Sequence, residues 1–250
     1  MGTIQVKNGQ VSKREDAGKC GGKKLAYLEI RGEEISFLPG NFLMMRREAR
    51  PDEWAFPYMI AGKTPEGFGV YAREDSPLYP AAAGDEVLFW GPSGKGISKE
   101  EGRGCALLVQ EPAAYLAVSL ALAYGEEGRI AVLKEEGKVE ENSFFSRLPI
   151  PFSWVGPAQA AEWLSRQDGN IYAAASPTLL QPIFESVPEE IIGRTYAFAN
   201  TKIGCGTGAC KGCVLHHPDY PAGIPVCCSG PFLPYREIDW KLDAACIFPF

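Results

Sequence analysis

The 250-residue chain has two histidines, four methionines, no long apolar run and no surplus of positive charge. Each shortage excludes something. The longest apolar run, Ala113 to Tyr124, is twelve residues and is interrupted by Ser119, too short to span a bilayer as a helix. With 25 Lys and Arg against 31 Asp and Glu, the net charge is −6. A nucleic-acid or membrane-surface binder needs a basic face to offset phosphate, so neither partner is expected. No basic stretch followed by an apolar one opens the chain, and position six is Val6 where a myristoylation signal wants Ser or Thr. A cytoplasmic protein is the expectation. Internal repeats and low-complexity linkers are missing too, while a hydrophobic fraction of 46% with 22% charged residues is ordinary globular composition.

Cysteine is the residue present in an unusual way. Six of the eight cysteines, Cys205, Cys210, Cys213, Cys227, Cys228 and Cys246, lie in the last 46 residues. A secreted disulfide scaffold would spread them along the chain. A dense cluster in a reducing compartment points to metal. The stretch Ile203–Val214 reads IGCGTGACKGCV, so the spacing is Cys205-x4-Cys210-x2-Cys213, with Cys227 further on. That is the ligand spacing of plant-type [2Fe–2S] ferredoxins. Gly204, Gly206, Gly208 and Gly212 supply the positive φ and close backbone approach that a loop around a cluster needs, and leave N–H groups free to face the sulfurs. A structural zinc site usually pairs two Cys-x-x-Cys knuckles, and only Cys210/Cys213 forms one; zinc is the alternative reading. The fourth ligand is Cys227 or its neighbour Cys228. Cys227 is preferred because Gly230-Pro231 would fold the chain back beneath it, leaving Cys228 a spare buried thiol and Cys246 a core cysteine. His216 and His217 read as surface residues.

Residues 1–101 read as an antiparallel β-barrel. Short segments rich in β-branched and aromatic residues (Lys24–Arg31, Ile35–Arg46, Trp54–Ala61, Gly67–Arg73, Asp85–Trp90) are separated by Gly/Pro turns. Residues 102–200 change to an α/β rhythm: strand Cys105–Val109, helix Pro112–Tyr124 stopped by Gly125, strand Arg129–Leu133, strand Phe152–Val155, helix Ala158–Arg166, strand Ile171–Ala175, helix Thr178–Ser186 and strand Thr195–Ala199. Alternating strands and helices imply a parallel sheet. Residues 201–250 form a third, cluster-binding segment, and the apolar tail Ala244–Phe250 reads as a packed terminus.

This order, with its C-terminal IGCGTGACKGCV…PVCCSGPF, resembles the electron-transfer subunit of type B dihydroorotate dehydrogenase, within the ferredoxin–NADP reductase superfamily. Besides the cysteine segment, Gly40-Asn41-Phe42-Leu43-Met44-Met45 is similar to the family's Gly-Gln-Phe strand. Gly84-Asp85…Gly91-Pro92-Ser93-Gly94-Lys95-Gly96 is similar to its barrel-closing motif, and Ile171–Leu180 to its later strand-then-helix unit. The resemblance implies FAD on the barrel, a nicotinamide nucleotide on the α/β half, and transfer of electrons through a [2Fe–2S] centre to an FMN-bearing partner barrel. Two motifs depart from it. The flavin motif Arg-Pro-x-Ser is Phe56-Pro57-Tyr58-Met59 here, and the Gly-x-Gly-Thr that follows is Asp75-Ser76-Pro77-Leu78. Tyr71-Ala72-Arg73 still resembles the flavin-contacting strand, with Arg73 a substitute cation; Tyr58 and Tyr71 suit barrel packing as well as flavin stacking. The nucleotide loop Gly-Gly-Gly-x-Gly is Gln110-Glu111-Pro112-Ala113-Ala114, where pyrophosphate would meet a carboxylate and no glycine. NAD(P) is therefore not expected to bind. The sequence leads to an electron-transfer subunit with a [2Fe–2S] cluster and FAD working with a redox partner subunit. A self-sufficient NAD(P)H oxidoreductase and a zinc-binding structural subunit are the alternatives.

Overall fold

A computed structural model describes residues 4–126, 129–134, 144, 148, 150–217, 219–243 and 246–250. Six strands close the N-terminal barrel: β1 (Lys7–Cys20), β2 (Lys23–Gly32), β3 (Phe42–Arg47), β4 (Phe56–Thr64), β5 (Gly67–Arg73) and β6 (Glu86–Ser93), in spatial order β1-β2-β5-β4-β3-β6. The barrel is antiparallel throughout. Its strands alternate two apolar faces. Leu28, Leu43, Met45, Tyr58, Ile60, Phe68, Val70 and Phe89 fill the interior. Leu25, Phe42, Met44, Met59 and Ala61 face outward into the core of the α/β half. A strand buried on both faces reads as a continuous apolar run, which is why FLMM stands out in β3. Segment Ile35–Asn41, expected as part of that strand, is a loop turning at Gly40; the strand itself starts at Phe42.

After the capped turn α1 (Lys99–Gly102) come β7 (Ala106–Gln110), a 3₁₀ stretch Glu111–Ala117, α2 (Val118–Tyr124), β8 (Ile130–Leu133), β9 (Ser153–Val155), α3 (Pro157–Ser165), β10 (Ile171–Ala174), α4 (Pro177–Glu185), α5 (Glu189–Gly193) and β11 (Thr195–Phe198). The cluster segment adds β12 (Val214–Leu215), β13 (Ile224–Pro225), the short turn α6 (Val226–Ser229) and β14 (Phe232–Pro234). The second sheet has the order β14-β11-β10-β7-β8-β9, parallel except for β14, which runs antiparallel along β11. The fold class is therefore the expected barrel plus α/β half plus small cysteine-rich segment. The last is bolted into the α/β sheet as its edge strand.

Three details differ from the sequence reading. The helix expected over Pro112–Tyr124 opens as a 3₁₀ stretch and becomes α-helical only at Val118. Gly125 does end that helix, but at φ −66, so its glycine serves space, not handedness: a Cβ there would stand 2.3 Å from the Ala121 carbonyl oxygen. Strand β1, absent from the sequence reading, is the longest in the protein's described residues.

Candidate iron–sulfur centre and the cleft beside it

The cysteine loop is clamped to the barrel at four points. The Trp90 indole N–H donates to the Cys205 carbonyl at 2.8 Å, and the Ser93 hydroxyl donates to the Gly206 carbonyl at 2.7 Å. Gly94 N–H donates to the Cys227 carbonyl at 2.9 Å, and Lys95 N–H to the Gly230 carbonyl at 2.8 Å. Gly94 (φ +84) must be glycine: a Cβ would meet the Gly230 carbonyl oxygen at 2.6 Å. The glycine run Gly91–Gly96 thus closes the barrel and also holds the cluster segment.

Every sulfur of the expected ligand set accepts a backbone N–H. Thr207 and Cys210 donate to Cys205 Sγ at 3.4 and 3.5 Å, and Gly212 to Cys210 Sγ at 3.4 Å. Cys227 N–H donates to Cys213 Sγ at 3.4 Å, and Gly208 N–H to Cys227 Sγ at 3.1 Å. Cys205 interacts with Cys210, and Cys227 with both Cys213 and Cys228, the Cys227 and Cys228 sulfurs lying 3.8 Å apart. Burial pushes the Cys205 thiol up. The Cys210 amide and the Thr207 hydroxyl and amide outweigh it, bringing that thiol down to about 6. Cys227 is pushed up by burial and by the Cys213 thiol beside it, against the Gly208 amide.

The donor set fits a two-iron centre: four thiols at the plant-type spacing, each sulfur with an amide to stabilise added negative charge. Among the described residues, no three His, Cys, Asp or Glu side chains converge on a single-ion site. Of the four glycines, only Gly206 (φ +73) and Gly208 (φ +76) take the left-handed conformation, and Lys211 (φ +58) takes a third such position. Gly204 and Gly212 instead lie in ordinary contact with Cys210 Sγ, at 3.6 and 3.5 Å from where a Cβ would be. Two cysteine expectations are corrected. Cys228 and Cys246 are exposed, not buried, because α6 turns Cys227 inward and Cys228 outward, while Ile247 fills the core position next to Cys246. His216 is on the surface as expected, yet its Nδ1 lies 2.7 Å from the buried carboxylate of Asp243.

The residues expected to touch flavin are divided by the barrel wall. Pro57, Met59 and Arg73 line a cleft between barrel and α/β half, with Phe42, Tyr115, Phe198 and Phe250 among its other walls. Tyr58 and Ala72 point the other way, into the barrel interior, where the Tyr58 hydroxyl accepts the Leu78 N–H at 3.0 Å. Phe56 sits exposed at the rim, and Tyr71 packs against Tyr27 and Phe144. Arg73 is paired with Asp75 at 2.7 Å. The cleft measures about 130 Å³, whereas sites enclosing a whole small-molecule ligand run about 300–1,000 Å³. Its lining suits a planar ring, but a complete FAD does not fit while the Phe250 ring occupies one wall. Thr201 and Ile203 also line it, so the cleft and the cysteine loop share one stretch of chain. A larger groove of about 550 Å³ lies along the β12–β13 hairpin, away from the cleft.

The nucleotide turn is occupied by the chain itself. The tip of the β1–β2 hairpin docks on it: Gly21 N–H donates to the Glu111 carboxylate at 2.5 Å, and the Cys20 thiol donates to the Glu111 carbonyl at 2.8 Å. Burial, and then the Glu111 charge, push the Cys20 thiol up, so it stays a donor. A Cβ on Gly21 (φ +59) would stand 2.4 Å from the Pro112 Cβ. The neighbouring turn is closed as well. Gln110 Oε1 accepts from the Ser176 N–H at 2.9 Å and from its hydroxyl at 2.8 Å. Ligands of open α/β sheets bind at these carboxyl ends of strands, and here both ends are tied by internal hydrogen bonds.

Comparison with known proteins agrees with this geometry. Several solved structures share the fold. An NADH-dependent reduced ferredoxin–NADP oxidoreductase, studied for flavin-based electron bifurcation, aligns over 96% of this chain and 92% of its own at TM-score 0.66 and 18% identity. The ferredoxin reductase of carbazole 1,9a-dioxygenase, in an FAD-free form, aligns over 78% and 67% at TM-score 0.55 and 17% identity. Ferredoxin–NADP⁺ reductase from Plasmodium falciparum with 2′P-AMP covers 75% and 94% at TM-score 0.56 and 11% identity. The chain is thus a protein of the ferredoxin–NADP reductase fold. Residues 200–239 match the family described as the iron–sulfur cluster binding domain of dihydroorotate dehydrogenase B. No curated protein sequence matches the chain. Among the described residues no helix is long and apolar enough to cross a membrane.

Proposed function

We propose that this chain is the electron-transfer subunit of a larger redox enzyme, working through a [2Fe–2S] cluster held by Cys205 and Cys210 on one iron and by Cys213 and Cys227 on the other. The observation that carries the reading is the loop of four amide-solvated thiols clamped against the barrel. When bound, the cluster supplies a one-electron reservoir. The chain's own residues do the rest. Amides of Thr207, Gly208, Cys210 and Gly212 offset charge on the sulfurs, while Trp90, Ser93 and Gly94 hold the loop in place. Cys210 and its neighbours Ala209 and Lys211 are exposed, leaving one side of the loop open to a protein partner. The family match of residues 200–239 supports a dehydrogenase subunit as that partner, and an FMN-bearing barrel is the form that the sequence resemblance implies.

Electrons on this reading come from protein and not from NADH or NADPH, because Glu111, Pro112 and the hairpin tip take the place of a phosphate cradle. Two like charges at about 4 Å repel by roughly 1–4 kcal/mol from water to a partly screened surface. The FAD of this proposal lays only its planar ring against the cleft walls Pro57, Met59 and Arg73, with the rest of the cofactor outside it. Anaerobic stopped-flow mixing of the reconstituted protein with each nucleotide tests the first point: no bleaching at micromolar NADH or NADPH is expected, and rapid bleaching would restore the self-sufficient oxidoreductase. Titration with FAD tests the second, and no saturable binding up to millimolar concentration would remove the flavin.

A further inference from the structure

Five cysteines, Cys205, Cys210, Cys213, Cys227 and Cys228, surround the four ligand positions of a two-iron centre, and the fifth is not idle in the geometry. Cys228 Sγ lies 3.8 Å from Cys227 Sγ. Two ligands of one tetrahedral metal, with bonds of about 2.3 Å, sit about 3.8 Å apart, so Cys228 lies one ligand spacing from the sulfur it would replace. A second observation places Cys228 over the cysteine loop. Gly208, whose N–H binds Cys227 Sγ at 3.1 Å, presents its bare Cα to Cys228, and a Cβ there would stand 2.9 Å from Cys228 Sγ. One glycine therefore touches both sulfurs. Cys228 is exposed while Cys227 is buried, so the two approach the same corner from the solvent and the core side.

We propose that Cys228 is an interchangeable ligand for the iron assigned to Cys227. This rests on the cluster reading above. In the exchange the Fe–Sγ bond to Cys227 breaks and one to Cys228 forms. Cys228 gives up its thiol proton as Cys227 takes one, so neither the net charge nor the iron oxidation state changes. The consequence is a centre that survives loss of its buried ligand.

The test loads wild type, Cys227→Ala, Cys228→Ala and the double variant of the full chain anaerobically with iron and sulfide, then measures bound iron, acid-labile sulfide and the visible spectrum. Alanine is used because serine oxygen can itself bind iron. Cys228→Ala is expected to load as wild type does, Cys227→Ala to keep about half or more of the wild-type iron, and the double variant less than about a tenth. Cys227→Ala as empty as the double variant, beside a loaded wild type, would overturn the inference. A wild type that does not load would instead overturn the cluster reading itself. Should Cys227→Ala not fold, iodoacetamide labelling of wild type decides. Alkylation of Cys228 slowing about fivefold or more on loading, with exposed Cys246 unchanged, supports the exchange, and no slowing contradicts it.

Discussion

Gly206 shows how much a single position in the cysteine loop is asked to do. It sits at φ +73, its carbonyl takes the Ser93 hydroxyl, and a Cβ would come within 2.5 Å of Met44 Cγ. Strain at a left-handed position costs about 1–3 kcal/mol in a residue with a Cβ, and the barrel side of the loop has no room to yield. Gly206→Ala is therefore expected to lower the melting temperature and to reduce retained iron after reconstitution. Gly212→Ala, with ordinary φ and an ordinary contact, should change either by little. Melting curves and iron assays on the two variants side by side check this, and equal losses would contradict it. The distinction was not legible in the sequence. Four glycines beside and between the cysteines announce a loop that wraps something, but which of them turns left-handed depends on where Met44 and Cys228 lie. The cysteine spacing, by contrast, is set by chain connectivity over nine residues and is read directly from the sequence.

At the scale of elements, the β1–β2 hairpin is the part most easily overlooked. Its first strand reads KNGQVSKREDAGKC, a charged run without apolar alternation, and it is a strand because β2 and β6 pair with it. The available signal was Gly21-Gly22, a two-residue turn of the kind hairpins favour. Its docking on Glu111 and Pro112 could not be read, since those residues are some ninety positions away. Gly21→Ala puts a Cβ into Pro112 at a left-handed position, and about 1–3 kcal/mol of destabilisation is expected. Gly62→Ala, with open space around it, should be near neutral. Thermal melts of both variants decide, and a Gly21→Ala protein melting like wild type would show that the hairpin does not dock.

The α1 turn gives a pH-dependent counterpart. The Ser98 amide, the Lys95 ammonium and the Ser98 hydroxyl hold the Glu101 carboxyl down, to about 2. Its folded-state affinity for a proton is thus below the unfolded one. The stabilisation is complete above about pH 4.5 and disappears as pH falls towards 2. Because Glu101 is one-third exposed, the effect amounts to about 0.2–1 kcal/mol. The melting temperature of wild type should exceed that of Glu101→Gln at pH 6, with the gap closing by pH 2; a constant gap would contradict the assignment.

Over the whole molecule, one apolar core joins the outer barrel face, the α/β sheet and the cysteine segment, and β14 makes that segment an edge strand of the sheet. The architecture was legible because short turn-bounded strands and then alternating strands and helices are period signals. The state of the two sites was less so. Of the motif expected to meet flavin only Pro57 is kept, and whether Tyr58 faces the cleft or the barrel interior turns on strand register, which side-chain chemistry alone leaves open. A cysteine loop is mounted on a ferredoxin–NADP reductase fold whose first strand–helix turn is closed by internal hydrogen bonds. The most direct measurement is metal and sulfide content together with electron paramagnetic resonance, on protein reconstituted anaerobically and then reduced by one electron. Two iron and two sulfide per chain, with a spin-one-half signal that disappears in the Cys205→Ser and Cys213→Ser variants, is the expected result. A colourless protein binding one zinc per chain, silent after reduction, would contradict the account.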